Sequence, residues 1–525
     1  MRSAPRQFDY RLNLVAAALA AFAVACGLIV RATGGAFGYT LDDPYIHLRL
    51  SEMVSHGTYG INLGESASPS SSIIWPLGLV PFARTGLHEY VPLLINIGAT
   101  TASLLVLFEI LSCTWTAFDR SGAARFVLTL VVALSLNWFG LAFTGMEHSV
   151  HVLLTLVALL GLVRVAYGGQ PRWWLWPTLA LGPLVRYEGL AVSAVVLVAL
   201  ATRGHVRRAL QTGIVILVAV MGFSLFLRSQ GLPALPSSVL VKSGTAYAGA
   251  LRPGDLLHSV VDNVSSTLST RPVALLWVVA LVASASLLIA TRRGHRVQGE
   301  LLVTACAAAV MCVHVAFGQN GWHERYEIYA LTFTATALLV VGSRPIEALS
   351  RHIGTRAALG TLSVALLLVF SRYVDTTLSV VTSARSIYDQ QHQMHVFVVD
   401  YLQTPVAVND LGEVSYRNPY YVVDLGGLAS ETARIKRQSN QPRWMEQLVD
   451  PRRVPAALIY APLFEGQVPD SWVRIGTLDS DYQLSNDPTV TVYATSPENV
   501  ARVRTALTAF APDVKAHTTV HLIDG

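Results

Sequence analysis

Residues 14–50, LVAAALAAFAVACGLIVRATGGAFGYTLDDPYIHLRL, pass from a long apolar run into a polar segment that begins with two adjacent carboxylates, Asp42 and Asp43. A helix needs about 20 apolar residues to cross the hydrocarbon of a bilayer. Because the run continues through Val30 and no secreted domain follows it, we expect an uncleaved first membrane helix and not a signal peptide. The acidic pair would then lie at the edge of the membrane.

The same apolar pattern repeats along the chain. Of its 525 residues, 52% are hydrophobic and 14% are charged, whereas about 25% of residues are charged in a soluble globular protein. The sequence therefore predicts a polytopic α-helical membrane protein with about 11 transmembrane helices. Whether the short, proline-containing segment 73–82 also crosses is left open. The predicted spans are 12–33, 91–112, 124–143, 149–167, 173–185, 190–202, 208–228, 272–290, 299–317, 327–342 and 358–377.

Positive charge accumulates in alternate loops. The predicted inner stretches hold 16 Arg, and the predicted outer stretches hold six Lys or Arg. Since basic residues are enriched on the cytoplasmic side, we expect a cytoplasmic N-terminus and an extracytoplasmic C-terminal part. No basic block typical of nucleic-acid binding is present. Almost every unusual polar cluster of the membrane part falls on the outer face, at 34–72, 144–149, 185–189, 235–244 and 320–327.

The composition changes near residue 383, where charged residues, Asn, Gln and Pro become common. We predict a membrane domain over 1–382, with a first outer loop at 34–72, and an extracytoplasmic α/β domain over 383–525. Strands are predicted within 404–416, 420–430, 455–463 and 489–495, and an amphipathic helix over 496–510.

The acidic pair opens a predicted helix. Asp43 precedes Pro44, which suits an N-cap followed by the first helical position. If Asp43 is the cap, Asp42 is left for another role, such as a general base that accepts a proton from an attacking hydroxyl. The alternatives are that Asp43 is only a cap and that the helix is simply amphipathic. With helical geometry extended backwards, one polar stripe facing a cavity would contain Asp42, Tyr45, Arg49, Glu52 and His56.

The ordered set of outer segments resembles the GT-C glycosyltransferases, in the bacterial branch that includes the mycobacterial terminal arabinofuranosyltransferases. DDPYIHLRLSEMVSHGTYGINLGESASPSSSIIWPL (42–77) is similar to the first outer loop of that branch. TGMEHSVHVLL (144–154), VRYEG (185–189) and LPSSVLVKSG (235–244) resemble three later segments. Two departures, SASPSSSIIW (66–75) and Ser237 in place of a frequent Asn, leave room for a sugar other than arabinose.

The resemblance implies an inverting transfer of a sugar from a polyprenyl-phosphate donor to a glycan or lipid acceptor of the cell envelope, outside the cytoplasmic membrane. Asp42 is then the first choice of base and Asp43 the second. The implied ligands of the donor phosphate are Arg49, Arg186, Lys242 and Arg325. The implied contacts to sugar or acceptor are Tyr45, Glu147, His148, Glu188, His323 and Glu324.

Simpler readings of the same residues stay open. Each outer cluster could be a group of interfacial side chains or a local ion pair. A divalent cation held by Asp42 and Asp43 is neither required nor excluded, and no other cofactor is expected. The alternative functions are a transporter or flippase of lipid-linked sugars and a polymerase or ligase of surface polysaccharide, which would use a diphosphate-linked donor.

Overall fold

The computed structural model describes residues 9–115, 122–242, 253–439, 441, 443–481, 487–515 and 517–523. Within these residues the chain is helical up to Leu402 and then adds a six-stranded sheet. The helices before the sheet are α1 Tyr10–Ala32, α2 Asp43–Ser55, α3 Trp75–Leu79, α4 Val91–Thr114, α5 Ala123–Ser135, α6 Trp138–Phe143, α7 His148–Ala166, α8 Leu175–Val185, α9 Gly189–Thr202, α10 Val206–Ser229, α11 Ser237–Lys242, α12 Pro253–Ser269, α13 Arg271–Arg292, α14 Gln298–Phe317, α15 Ile328–Ile353, α16 Thr355–Val369, α17 Ser371–Leu378, α18 Val380–Ile387 and α19 Gln393–Val396.

Seven of these helices are long and apolar enough to cross a membrane: α1, α4, α7, α10, α13, α14 and α15. The pair α16 and α17 would add an eighth, although it is bent by 76°. Helices α5, α8 and α9 are apolar but shorter. A polytopic helical membrane protein is therefore confirmed, and the count of about 11 crossings stays a prediction. Segment 73–82 forms only α3 and a short 3-10 turn.

The turn between α8 and α9 carries the VRYEG segment. Helix α8 ends because Arg186 adopts an extended backbone conformation. The two helices then approach so closely that a Cβ on Gly189 would lie 2.8 Å from the backbone nitrogen of Pro183. Because only glycine permits this contact, the sequence folds back at once and holds Arg186 and Glu188 at the end of the helix pair.

The C-terminal part contains the predicted α/β domain. Its strands are β1 Val406–Val408, β2 Val422–Asp424, β3 Ala456–Ile459, β4 Val473–Ser480, β5 Thr489–Ala494 and β6 Thr518–Leu522. Its helices are α20 Gly412–Ser415, α21 Glu431–Gln438, α22 Trp444–Val449 and α23 Val500–Phe510. The sheet order is β2-β1-β3-β5-β4-β6, with β1 parallel to β2 and β3 and the other pairs antiparallel. The proposed domain boundary at 382 falls inside α18.

The sheet domain rests on the first outer loop. The side-chain amide of Asn62 donates to the carbonyl of Val422 at 2.9 Å, and its oxygen accepts from the Val422 N–H at 3.0 Å. Asn62 thereby behaves like one residue of an additional strand at the edge of β2. The Tyr421 hydroxyl also donates to Glu65. The loop that carries the acidic pair is thus held in place by hydrogen bonds to the sheet domain.

Candidate active site

Asp42 joins the first outer loop to the sheet domain. Its two carboxylate oxygens accept the backbone N–H groups of Gly412 and Glu413, at 2.6 and 2.7 Å. These are orphan donors of the first turn of α20. Burial and the neighbouring Asp410 raise the pKa of Asp42 well above its usual value, and the two N–H groups oppose that shift. Asp42 therefore caps a helix, but the helix lies 370 residues away in the sequence.

The contact leaves no space for a side chain at Gly412. A Cβ there would lie 2.6 Å from the carboxyl carbon of Asp42 and closer still to its backbone carbonyl oxygen.

We expect Gly412→Ala to lower the free energy of unfolding by about 1–3 kcal/mol, as overpacking generally does. Thermal unfolding in detergent measures the effect. Gly360→Ala in α16, where a Cβ meets nothing within 4 Å, is the control, and an unchanged Tm for Gly412→Ala would contradict the packing argument.

Asp43 points to a different place. It forms an ion pair with Arg325, whose side chain is fully buried, while the side chain of Asp43 is 27% exposed. Helix α2 begins at Asp43, so Asp42 and not Asp43 occupies the N-cap position, and the side chain of Asp42 makes no cap hydrogen bond to α2. Asp43 is thus the first residue of α2, as predicted, but it also lines a cavity, whereas Asp42 does not face that cavity because its contact with α20 turns it towards the sheet domain.

Asp43 and Arg325 line a cavity of about 560 Å³, which we call the polar chamber. Helix α2 contributes Asp43, Ile46 and His47, so this face, and not the predicted stripe, is open to the cavity. Leu428 of the sheet domain also lines it. The remaining lining residues are Pro69, Ser71, Met146, Asn263, Ser266, Gln319, Asn320, Trp322 and Tyr326.

A second cavity of about 360 Å³, the apolar chamber, adjoins the first and shares Ser71, Gln319 and Tyr326 with it. Its wall includes Phe317, which is 65% exposed on the outside of the helix bundle. An apolar side chain this exposed at the end of a membrane-length helix is expected to contact lipid. The other lining residues are Arg186, Tyr187, Glu188, Leu190, Ala191, Ser238, Val239, Val313, Gly318 and Tyr329.

Arg186 is held between two carboxylates. Its Nη1 donates to Glu147 at 2.6 Å and its Nη2 donates to Glu188 at 2.6 Å. Burial alone would raise the pKa of Glu188, but the charge and hydrogen bond of Arg186 lower it to about 2. Ser71 donates to the same Glu147 oxygen at 3.2 Å. The segments TGMEHS and VRYEG and the first outer loop therefore meet at one buried network.

Tyr326 connects the two basic groups. The guanidinium of Arg325 lies 5.1 Å from the centre of its ring, and that of Arg186 lies 5.8 Å from it. Both distances are within the range of a cation–π contact. The sequence-based prediction of site residues did not include Tyr326, Ser71 or Gln319. The available signal was their position in or next to two polar segments of the predicted outer face, since Tyr326 lies in 320–327, Gln319 directly precedes it and Ser71 lies in 66–72.

Several predicted site residues lie away from both chambers. Arg49 is buried and donates to the carbonyl of Ile61 at 2.7 Å and to Glu52 at 3.0 Å. The ring of Tyr45 is buried against Tyr39 and Tyr416. Both side chains face the region that the sheet domain covers, which is why the predicted stripe does not meet the cavity.

The remaining predicted site residues differ in burial and in the partners that they contact. Glu324 pairs with Arg372 of α17 at 2.5 Å. His148 is buried, with its ring 6.3 Å from the Tyr326 ring. Burial and the adjacent Arg325 lower the pKa of His323 to about 4, so this side chain is neutral near pH 7. The side chain of Lys242 lies outside the described residues.

The acidic pair is poorly arranged for a metal ion. Both oxygens of Asp42 are engaged by backbone N–H groups, and Asp43 is engaged by the cation Arg325. Among the residues that the structure describes, no group of three or more His, Cys, Asp or Glu side chains could hold a metal. A divalent cation at Asp42 and Asp43 does not fit these contacts.

Comparisons with known proteins add a distant likeness. A family model described as Domain of unknown function (DUF8728) matches residues 384–493. No curated protein matches the chain. The fold is similar to the Archaeoglobus fulgidus oligosaccharyltransferase tethered with an acceptor peptide, with a TM-score of 0.43 and 13% identity over 96% of this chain and 76% of that one. The same protein in complex with Zn and sulfate gives a TM-score of 0.41 and 12% identity, over 96% and 75%.

Proposed function

We propose that this protein is a membrane glycosyltransferase that uses a polyprenyl-phosphate-linked sugar and acts on the outer side of the cytoplasmic membrane. The observation that carries the proposal is the junction of the two chambers. A polar cavity with a carboxylate and a buried arginine adjoins an apolar cavity and shares three lining residues with it. A lipid-phosphate donor has this division of chemistry, with an apolar tail, an anionic link and a polar sugar.

The donor is arranged along the two chambers. Its first isoprene units lie in the apolar chamber among Leu190, Val313 and Phe317, where burial of hydrocarbon is favourable. Its sugar lies in the polar chamber, within reach of Asp43. The phosphate is then placed near Tyr326 and Gln319, which line both chambers.

Charge balance selects Arg325 as the phosphate ligand. Arg186 already donates to two carboxylates, so little net positive charge remains for an anion. Arg325 pairs with one carboxylate, and its Nε and Nη1 have no hydrogen-bond partner among the described residues. A buried cationic donor without a partner is costly unless a ligand satisfies it. Arg186 is instead a positioning residue, because it connects Glu188 in the wall of the apolar chamber to the buried Glu147.

The reaction is a single displacement. The acceptor oxygen attacks the anomeric carbon, the bond between that carbon and the phosphate oxygen breaks, and Asp43 accepts the proton of the acceptor hydroxyl. Polyprenyl phosphate leaves as the anion, and Arg325 stabilises the charge that develops on it. The sugar is arabinofuranose or another pentose or hexose, and the acceptor is a glycan or lipid of the cell envelope.

A reconstituted transfer assay tests the proposal. The protein in nanodiscs is mixed with radiolabelled polyprenyl-phosphate sugars, matched polyprenyl-diphosphate sugars and nucleotide sugars, together with envelope glycan acceptors. We expect product only with the monophosphate donors. Product with the diphosphate donors alone would favour a polymerase or ligase. Movement of donor across a proteoliposome membrane without any product would overturn the proposal in favour of a transporter.

Arg325→Gln is expected to lower kcat/KM for the donor by about 10- to 150-fold. The reason is the loss of charged hydrogen bonds, which contribute about 1.5–3 kcal/mol each. Initial rates at varied donor concentration measure the change. Arg351→Gln, which removes an exposed ion pair with Glu347 in α15, is the matched control. Equal kinetics for Arg325→Gln and wild type would remove Arg325 from the site.

A further inference from the structure

The segment before α15 has an unusual backbone. Gly321, Trp322, His323 and Glu324 all have positive φ, at 84°, 49°, 61° and 51°. Three consecutive non-glycine residues in this region are rare, and each costs about 1–3 kcal/mol. Such strain persists only where neighbouring contacts enforce it.

Contacts on both sides hold this turn. The Gly321 N–H donates to Glu327 at 2.9 Å, and Glu324 pairs with Arg372 at 2.5 Å. Arg325, directly after the turn, pairs with Asp43. The result is that Trp322 stands at the wall of the polar chamber with half of its surface (50%) exposed. Its ring is nearly perpendicular to that of His323, at 83°, with the two ring centres 6.2 Å apart.

A second element of the same chamber comes from the sheet domain. Leu428 lines the chamber from the turn that follows β2. Asp424 organises this turn, because its carboxylate accepts the N–H groups of Gly426, Gly427 and Ala429, at 2.7, 3.1 and 2.5 Å. The chamber is therefore bounded by a fixed indole from the membrane part and a fixed aliphatic group from the sheet domain.

Resting on the proposed function, we propose that Trp322 and Leu428 bind the acceptor as a sugar ring, with the indole face of Trp322 against the C–H face of the ring. A pyranose or furanose has an apolar C–H face and polar hydroxyl edges. The chamber offers both partners, since the side-chain amides of Asn263 and Gln319 and the hydroxyl of Ser266 line it beside the indole. Because the same chamber holds Asp43, a ring on Trp322 presents a hydroxyl to the base.

This arrangement gives the sheet domain a part in acceptor binding. The donor lipid is assigned to the apolar chamber, its phosphate to Arg325 and its sugar to the neighbourhood of Asp43. Trp322 and Leu428, on the side of the polar chamber that the sheet domain bounds, are assigned to the acceptor. An acceptor lipid tail or a peptide would not need an indole face next to amides and hydroxyls. The acceptor group at the reacting position is thus a glycoside.

The test uses binding and kinetics separately. Wild type and Trp322→Ala, in nanodiscs, are titrated with synthetic methyl and octyl glycosides of hexopyranoses and pentofuranoses by isothermal titration calorimetry, without donor. Transfer is then measured with varied glycoside at saturating polyprenyl-phosphate sugar. We expect Trp322→Ala to weaken glycoside binding and raise the acceptor KM by at least about tenfold, which is about 1.4 kcal/mol, with the donor KM unchanged.

Two further variants keep the result interpretable. Trp322→Phe retains an aromatic face and should keep most of the binding. It therefore tests the role of the ring even if Trp322→Ala is poorly folded. Trp173→Ala removes the most exposed indole elsewhere, at 78%, and should change nothing. The inference would be overturned if Trp322→Ala had an unchanged acceptor KM and unchanged glycoside binding, or if glycosides failed to bind wild type. In both cases transfer by wild type would leave the proposed function intact. Binding lost in Trp322→Ala without any transfer by wild type would support the subsite and count against the proposed reaction.

Discussion

Asp43→Asn is expected to lower kcat by about 10²- to 10⁴-fold, the usual contribution of a general base. The amide cannot accept the proton of the attacking hydroxyl, although its oxygen can still accept a hydrogen bond from Arg325. Donor binding should persist, because Arg325 remains in the polar chamber. Single-turnover rates and donor affinity, measured on the same nanodisc preparation, separate chemistry from binding.

Two controls accompany this variant. Asp43→Glu keeps a carboxylate on a longer side chain and should retain more activity than Asp43→Asn. The loss of Asp43 leaves a buried arginine without its carboxylate, which could destabilise the protein. Correct folding of each variant is therefore checked by monodisperse elution in gel filtration and by retained glycoside binding. A wild-type kcat in Asp43→Asn would contradict the assignment of the base.

Asp42→Ala is expected to destabilise the contact between the first outer loop and the sheet domain by about 2–6 kcal/mol. It leaves the N–H groups of Gly412 and Glu413 buried without their acceptor, and an unsatisfied buried donor costs about 1–3 kcal/mol. The measurements are a lower Tm and faster hydrogen exchange of these two amides. Asp42→Asn should be intermediate, since an amide oxygen can still accept one of the two N–H groups.

The two aspartates can be told apart by comparing these variants. Asp42→Asn should lose stability and keep most of its turnover per folded molecule, whereas Asp43→Asn should lose turnover. If Asp42→Asn folds normally and loses all transfer, the base is Asp42, as the sequence alone suggested. In that event the contact with α20 would have to open during the reaction.

The apolar runs were sufficient to predict the helical membrane part. Helices α1, α4, α7 and α13 follow the predicted limits closely, because about 20 apolar residues are needed to satisfy the backbone inside a bilayer. Strands β4 and β6 were missed. Strand β4 contains Gly476 beside an irregular register, and β6 is an edge strand with polar residues on both sides, so neither shows a clear alternation.

The sequence by itself determined that the protein is a helical membrane protein with an α/β tail, and it singled out the segments that meet at the chambers, since hydrophobicity and polar clustering are local properties. Only the tertiary structure decided which aspartate lines the polar chamber and which contacts the sheet domain. Two neighbours at the start of a helix point in different directions, and their partners, Gly412 and Arg325, are 370 and 282 residues away. No local pattern can specify contacts of that separation, because they exist only after the chain has packed.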